Sequence, residues 1–286
     1  MYYIGFDIGG SYIKFVLVRK RKILFSGHEE RPITFHGLVR LITEKTKFLK
    51  SKMKGGNIGG IGFSLPGPLD SKREKVLNSA NIRYLNGKAF KKIMGEKLEL
   101  PIKLEHDVHC FLLTSRILST ARKYKNVFYI TLGTGLGGAF MVDRKIIRGS
   151  HGSAGEVGNM ILDMSKRLDF EDLGSNKFVR RRAGKGTLEI AKLAEAGDKK
   201  AKATLAELGE NVGIGLANII NVFDPEVIVL SGGISEAKKL IEPYIKEQLK
   251  KLVSSPEAQK TKILFTKIGY YGGALGAALL FEKDSL

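Results

Sequence analysis

Sliding the sequence along itself by 124 positions lays residues 3–18, YIGFDIGGSYIKFVLV, over residues 127–142, VFYITLGTGLGGAFMV. Asp7 then falls on Thr131, Gly9 on Gly133 and Val18 on Val142. Each copy reads as an apolar strand, a glycine-rich turn and a second strand of alternating pattern. A third short strand is expected after each, at residues 23–26 and at Lys145–Ile147. A chain that repeats this unit is restricted to two similarly built halves.

Around the two copies, strands alternate with helices. Leu38, Leu41, Ile42 and Phe48 mark a helix over residues 37–53, and residues 57–63 read as a strand. Further helices are expected over 108–122, 187–195, 201–221 and 235–251, with strands at 227–230 and 262–265. A last helix over 272–281 is rich in small residues, Gly273, Ala274, Gly276, Ala277 and Ala278, which permit close packing on a neighbour. The pattern is that of an α/β protein. No stretch has the composition of a flexible linker, so the boundary is expected as a tight crossover near residues 105–115. The expected domains are residues 1–108 and 109–286, with the last helix packing back on the first.

The 286 residues amount to about two domain lengths, and 43% of them are hydrophobic, enough for sizeable cores. No uncharged run reaches the roughly 18 apolar residues of a spanning helix. The chain starts on a strand-like stretch and lacks the order of a signal peptide, so a cytoplasmic protein without membrane partners is expected. A single cysteine, Cys110, can form no internal disulfide and no thiolate zinc site. The net charge of +19 is scattered along 19–22, 45–54, 88–97, 180–185 and 238–251. It has no aromatic interleaving and no nucleic-acid-binding module, and reads first as a solvated lysine-rich surface without a nucleic-acid partner. A field that attracts nucleotides or polyphosphate is the second reading.

The glycine turns separate several phosphate-binding designs. Residues 133–138, GTGLGG, fit the spelling of a dinucleotide-binding loop, yet that loop requires a helix directly after the glycines. Here an alternating strand follows. The catalytic sequences of protein kinases are also absent. What remains is a hairpin whose backbone N–H groups can approach an anion, and two such hairpins can clamp a triphosphate. Asp7, ahead of Gly9, Gly10 and Ser11, is placed to hold magnesium through water or to shape the turn. Lys14, Thr131, Gly133, Thr134 and Gly135 complete the expected nucleotide contacts. A third turn at Gly232 and Gly233 suits an adenosine wall, or is an ordinary strand-to-helix turn. His106 and His109 have the spacing of a metal pair on one helix face but no third ligand. Asp107 alone reads equally as a helix cap or as a base.

The ordered series DIGGS, SLPGPLD (64–70), LEHD (104–107), TLGTGLGG, SAGEVGN (153–159) and LSGGIS resembles the ROK family (repressor, open reading frame, kinase) over nearly the whole chain. The resemblance implies a two-domain actin-like (ribonuclease H-like) ATPase fold with an interdomain cleft. Repressors of the family carry a helix-turn-helix ahead of the first hairpin, and six residues precede Asp7 here, so the kinase branch is implied. That branch moves the γ-phosphoryl of ATP, with Mg²⁺, to a hydroxyl of a hexose or N-acyl hexosamine, and works as a homodimer. By the same resemblance Asp107 is the base, and Ser64, Asn81, His106, Glu156, Asn159 and Glu171 face the sugar. Two positions depart from the family: His106 stands for an Asn, and Asn159 for a His. The family's zinc cysteines are missing from MSKRLDFED (164–172), so no zinc is expected. A non-catalytic sensor of the same fold, another polyol as acceptor, polyphosphate as donor, and a nucleic-acid role for the charge are the alternatives.

Overall fold

The structure, a computed structural model, describes residues 1–118 and 120–282. In chain order the strands and helices are β1 (Tyr2–Ile8), β2 (Tyr12–Arg19), β3 (Lys22–Glu30), α1 (Phe35–Ser51), β4 (Ile58–Leu65), α2 (Phe90–Leu98), β5 (Ile102–His106) and α3 (Asp107–Leu118). They continue with β6 (Val127–Leu132), β7 (Leu136–Val142), β8 (Lys145–Ile147), β9 (Ile161–Asp163), β10 (Leu168–Asp169), α4 (Phe170–Gly174), α5 (Asn176–Ala183) and α6 (Thr187–Glu195). The last are α7 (Lys199–Phe223), β11 (Val227–Ser231), α8 (Lys238–Leu252), β12 (Lys262–Phe265) and α9 (Gly272–Leu279). Two compact units result: Met1–Thr120 with Lys145–Ala154 and Ile268–Leu286, and Ala121–Arg144 with Gly155–Lys267.

In the first unit the sheet order is β3-β2-β1-β4-β5. The hairpin strands are antiparallel, while β1, β4 and β5 run parallel. Alternation sends Ile4, Phe6, Ile8, Ile61, Phe63, Leu65 and Leu104 into one core with Leu38 and Ile42 of α1 and Phe90 and Met94 of α2. Each such side chain, fully buried, stabilises the fold by about 1.5–3 kcal/mol. Thr34 starts α1 by accepting the Gly37 N–H at 3.1 Å.

The opposite face is built for contact with backbone. A Cβ at Gly5 would lie 1.8 Å from the Ala274 carbonyl oxygen, and one at Gly62 1.9 Å from that of Ala277. On its far side α9 meets α3, where a Cβ at Gly276 would lie 1.9 Å from the Cys110 carbonyl oxygen. Every residue of α9 is buried, so the stripe of small residues is a two-sided packing surface. Gly276→Ala must push α3 and α9 apart. A loss of about 2–3 kcal/mol is expected, read as a lowered urea midpoint at unchanged slope.

The second unit repeats the plan. Its strands run β12-β11-β6-β7, with β6 and β7 antiparallel and β6, β11 and β12 parallel, matching β5-β4-β1-β2. Tyr12 and Leu136, which open β2 and β7, are separated by the 124-residue shift seen in the sequence. Phe128, Ile130, Ile228 and Leu230 pack in one core with Leu205, Val212, Leu216 and Ile220 of α7. Gly209 and Gly213 let α7 approach α8 at Tyr244 and Gln248. No helix among the described residues is long and apolar enough to cross a membrane.

Candidate functional site

Strand register assembles a polar row on the first sheet. Lys14 pairs with Asp7, Asp7 with Ser64 and Ser64 with Glu105, and cross-strand partners share a face. The row lies on the α9 side, continuing the side taken by Gly5 and Gly62. Asp7 is 6% exposed; its Oδ1 accepts from Ser64 Oγ at 2.7 Å and its Oδ2 lies 3.6 Å from Lys14 Nζ. Lys14 also sits 4.4 Å above the Tyr270 ring. Gly273 is required here, since a Cβ would come within 2.6 Å of the Asp7 carboxyl carbon. Burial raises the Asp7 pKa most strongly and the Asp107 charge adds to the rise, while Ser64 and Lys14 oppose it.

The first hairpin turn closes through the Gly9 N–H donating to Tyr12 O at 3.0 Å. Arg31 braces it from Nε to Gly10 O and from its backbone N–H to Ser11 O, both at 2.8 Å. These bonds occupy carbonyls that would otherwise repel an anion. Asn81, exposed, stands beside Gly10.

β5 ends at His106 and α3 begins at Asp107, so the junction presents both side chains together. Asp107 Oδ1 accepts the Val108 N–H at 2.7 Å and lies 3.3 Å from His106 Nε2, and the carboxylate remains one-third exposed. The capping bond and an accessible carboxylate therefore coexist in one side chain. His106 ends β5 while His109 lies on α3, so the two do not share one helix face, and their rings meet edge-on at 5.7 Å. Beneath them Glu105, 2% exposed, accepts from His109 Nδ1 at 2.9 Å, Arg148 Nη2 at 2.9 Å and the His106 N–H at 3.1 Å, with Arg73 Nη1 at 3.3 Å. Burial would raise its pKa, but the His109 hydrogen bond and charge, then Arg148 and Arg73, bring it down to about 2. Arg73 and Arg148 escape a sequence reading because Glu105 lies far from both in the chain, and Arg31 does so because its partners Gly10 and Tyr84 are also distant.

The second unit holds the remaining expected residues. Because β6 and β11 are parallel with Thr131 beside Ser231, the turns at Gly133–Gly135 and Gly232–Gly233 stand together at one end of the sheet. Gly232 has φ of +90°, and a Cβ there would lie 2.5 Å from Leu132 O. At Gly133 and Gly233 a Cβ would meet no atom within 4 Å, so the surface above them is open. Glu171, in the first turn of α4, accepts the Leu136 N–H at 2.8 Å and ion-pairs Lys177. It therefore supports the hairpin itself. Glu156 and Asn159 are exposed at the two ends of one short turn. Gly158 between them packs on the Glu171 Cβ.

These residues fit a nucleotide and its magnesium. Open glycine turns at the carboxyl ends of parallel strands accept phosphate and ribose closely. No group of three His, Cys, Asp or Glu residues able to hold a metal occurs among the described residues. A single carboxylate, Asp7, is what magnesium uses when nucleotide phosphates and water supply its other oxygens.

Two sheets of one strand order, each opening on a glycine hairpin, define the actin-like ATPase fold. The sequence profile of the ROK family matches residues 3–284. An N-acetyl-D-glucosamine kinase of Vibrio parahaemolyticus is 31% identical over 311 aligned positions, covering 99% of this chain and all of that protein. A ROK family glucokinase from Streptomyces griseus, solved with glucose and AMPPNP, superposes with a TM-score of 0.81 at 25% identity, covering 98% of this chain and 99% of that one. The ROK hexokinase of Thermus thermophilus gives 0.82 at 26% identity, with 98% and 97% covered. The chain belongs to the ROK family.

Proposed function

We propose that this protein is an ATP-dependent sugar kinase that phosphorylates a hydroxyl of a hexose or N-acyl hexosamine. The observation that carries the reading is Asp107, an accessible carboxylate fixed at the head of α3 beside the Asp7 row and supported from below by the Glu105 hub. Its free oxygen accepts the proton of the attacking hydroxyl while the new oxygen–phosphorus bond forms and the bond from the γ-phosphorus to the ADP oxygen breaks. His106 Nε2, 3.3 Å from Asp107 Oδ1, orients that carboxylate with its N–H and leaves Nδ1 to accept from a neighbouring sugar hydroxyl. Asn81 and Ser64 are assigned to the acceptor side, although the Ser64 hydroxyl also fixes Asp7. The turns at Gly9–Ser11 and Gly133–Gly135 receive phosphates through backbone N–H groups, Lys14 and Thr131 flank them, and Gly232 and Gly233 receive the adenosine. Asp7 would hold magnesium through water, and the ion would supply charge neutralisation on the transferred group.

On the second unit Glu156, Asn159 and Glu171 are assigned to sugar hydroxyls. Glu156→Gln is expected to raise the sugar KM about tenfold with a smaller change in kcat, because it weakens one charge-assisted hydrogen bond. Steady-state kinetics checks this, and an unchanged KM removes Glu156 from the pocket. A cytoplasmic homodimer is the proposed working form, tested by light scattering. The direct test of function is ADP release with Mg-ATP across hexoses, N-acyl hexosamines and polyols. Turnover with one acceptor establishes the reaction; silence across the panel favours a sensor of the same fold.

A further inference from the structure

On the first unit, a recess of about 190 Å³ opens between the Leu69–Ser71 segment, Arg73, Arg148 and the rings of His106 and His109. A second recess of about 210 Å³ adjoins it, sharing Ser71, Arg73 and Glu105 and lined also by Lys72, Lys91 and Lys103. We propose that this double recess is a binding site for an oxyanion, a phosphate or carboxylate group of a small metabolite.

The charge balance points that way. Across both recesses, Lys72, Arg73, Lys91, Lys103 and Arg148 face only Asp70 and Glu105. Glu105 is already engaged by His109, His106, Arg148 and Arg73, and Asp70 Oδ1 takes the N–H groups of Glu74 and Lys75 at 2.7 and 2.9 Å, so two carboxylates stand against five cations. Lys103 donates to Leu280 O at 2.7 Å and has no carboxylate partner among the described residues. Burial, and then the positive charges of Arg148 and Lys91, depress its pKa.

Two side chains shape the recesses. Arg73, in a turn where its N–H donates to Asp70 O at 2.8 Å, lines both of them, its Nη1 3.3 Å from Glu105 Oε2. His109, 2% exposed, spends Nδ1 on Glu105 and leaves Nε2 buried without a partner. With Nδ1–H donated to Glu105, Nε2 is left as an acceptor, which a water carried into the recess with the anion would satisfy.

The recess shares His106 with the proposed acceptor residues, so the oxyanion has two sources: a substituent carried by the acceptor sugar, or a separate anionic metabolite. Calorimetric titration without nucleotide separates them, using hexose 6-phosphate, a hexuronate, inorganic pyrophosphate and an unmodified hexose. At least one anionic probe is expected to bind with Kd near or below about 1 mM. Arg73→Gln should weaken that binding by about tenfold or more, the loss of one charge-assisted contact. Lys91→Ala, at the rim and outside any ion pair among the described residues, should weaken it severalfold at unchanged melting temperature and guards against a misfolded Arg73 variant. Binding of the sugar anions alone assigns the recess to the acceptor; binding of pyrophosphate alone assigns it to a separate anion. Absence of binding by every anionic probe, or equal affinity in wild type and both variants, overturns the proposal. Because no phosphoryl transfer is read, failure of the kinase reading appears separately, as absent ADP release.

Discussion

Asp107→Asn is expected to lower kcat by about a thousandfold, within the range that a positioned general base contributes. The amide matches the carboxylate in shape, and its oxygen can still accept the Val108 N–H that Asp107 Oδ1 accepts at 2.7 Å. The start of α3 therefore stays capped, and folding should survive. What disappears is the basic lone pair for the sugar proton. Asp7, the neighbouring carboxylate whose pKa Asp107 helps to raise, cannot substitute: it is buried, bonded to Ser64 and set against Gly273. Three measurements decide the matter: ADP release, nucleotide affinity by titration, and melting temperature. Retained nucleotide binding and stability with lost turnover place the proton transfer at Asp107; turnover within about tenfold of wild type leaves Asp107 as a cap alone.

Glu105→Gln is expected to cost about 3–5 kcal/mol of stability, the range for removing one partner of a buried ion pair. The substitution leaves Arg73 and Arg148 facing each other with their common acceptor neutralised, beside a His109 whose Nδ1 loses its carboxylate partner. The pH dependence follows from the pKa of about 2, against 4.5 for an unperturbed glutamate. A carboxyl group lowered by folding adds stability that is fully present above the unfolded value and is lost as pH falls through the folded one. Wild type should therefore lose about 3 kcal/mol through this group between roughly pH 5 and pH 2. The variant lacks that component. Urea midpoints at pH 6, 4 and 3 test both points: the gap between the two proteins is large at pH 6 and narrows on acidification. A constant gap would show that Glu105 is not the titrating centre of the hub.

Much of the architecture was legible because it depends on local periodicity. The duplicated hairpins, α6 at Thr187–Glu195, β12 at Lys262–Phe265 and α7 within two residues at either end follow from alternation or helical spacing. The helix expected over 108–122 ends instead at Leu118, with a short turn at Thr120–Lys123 after it. α2 and β5 were not legible. In β5 the sequence IKLEH mixes charge into a strand because Ile102 and Leu104 serve the core while Glu105, on the opposite face, serves the arginine hub.

The sequence by itself determined the repeated hairpin, the α/β alternation, and the order of motifs that identifies the ROK family, since each is written in contiguous residues. Only the tertiary structure decided that Lys14, Asp7, Ser64 and Glu105 form one row, because register between distant strands is a property of packing. It alone seated α9 between a glycine-lined sheet and α3, a placement resting on backbone contacts that no side-chain pattern records. It alone brought Arg73 and Arg148 to Glu105. A buried carboxylate at the end of β5 is stable only where cations from distant loops converge on it, and where they converge is set by the fold.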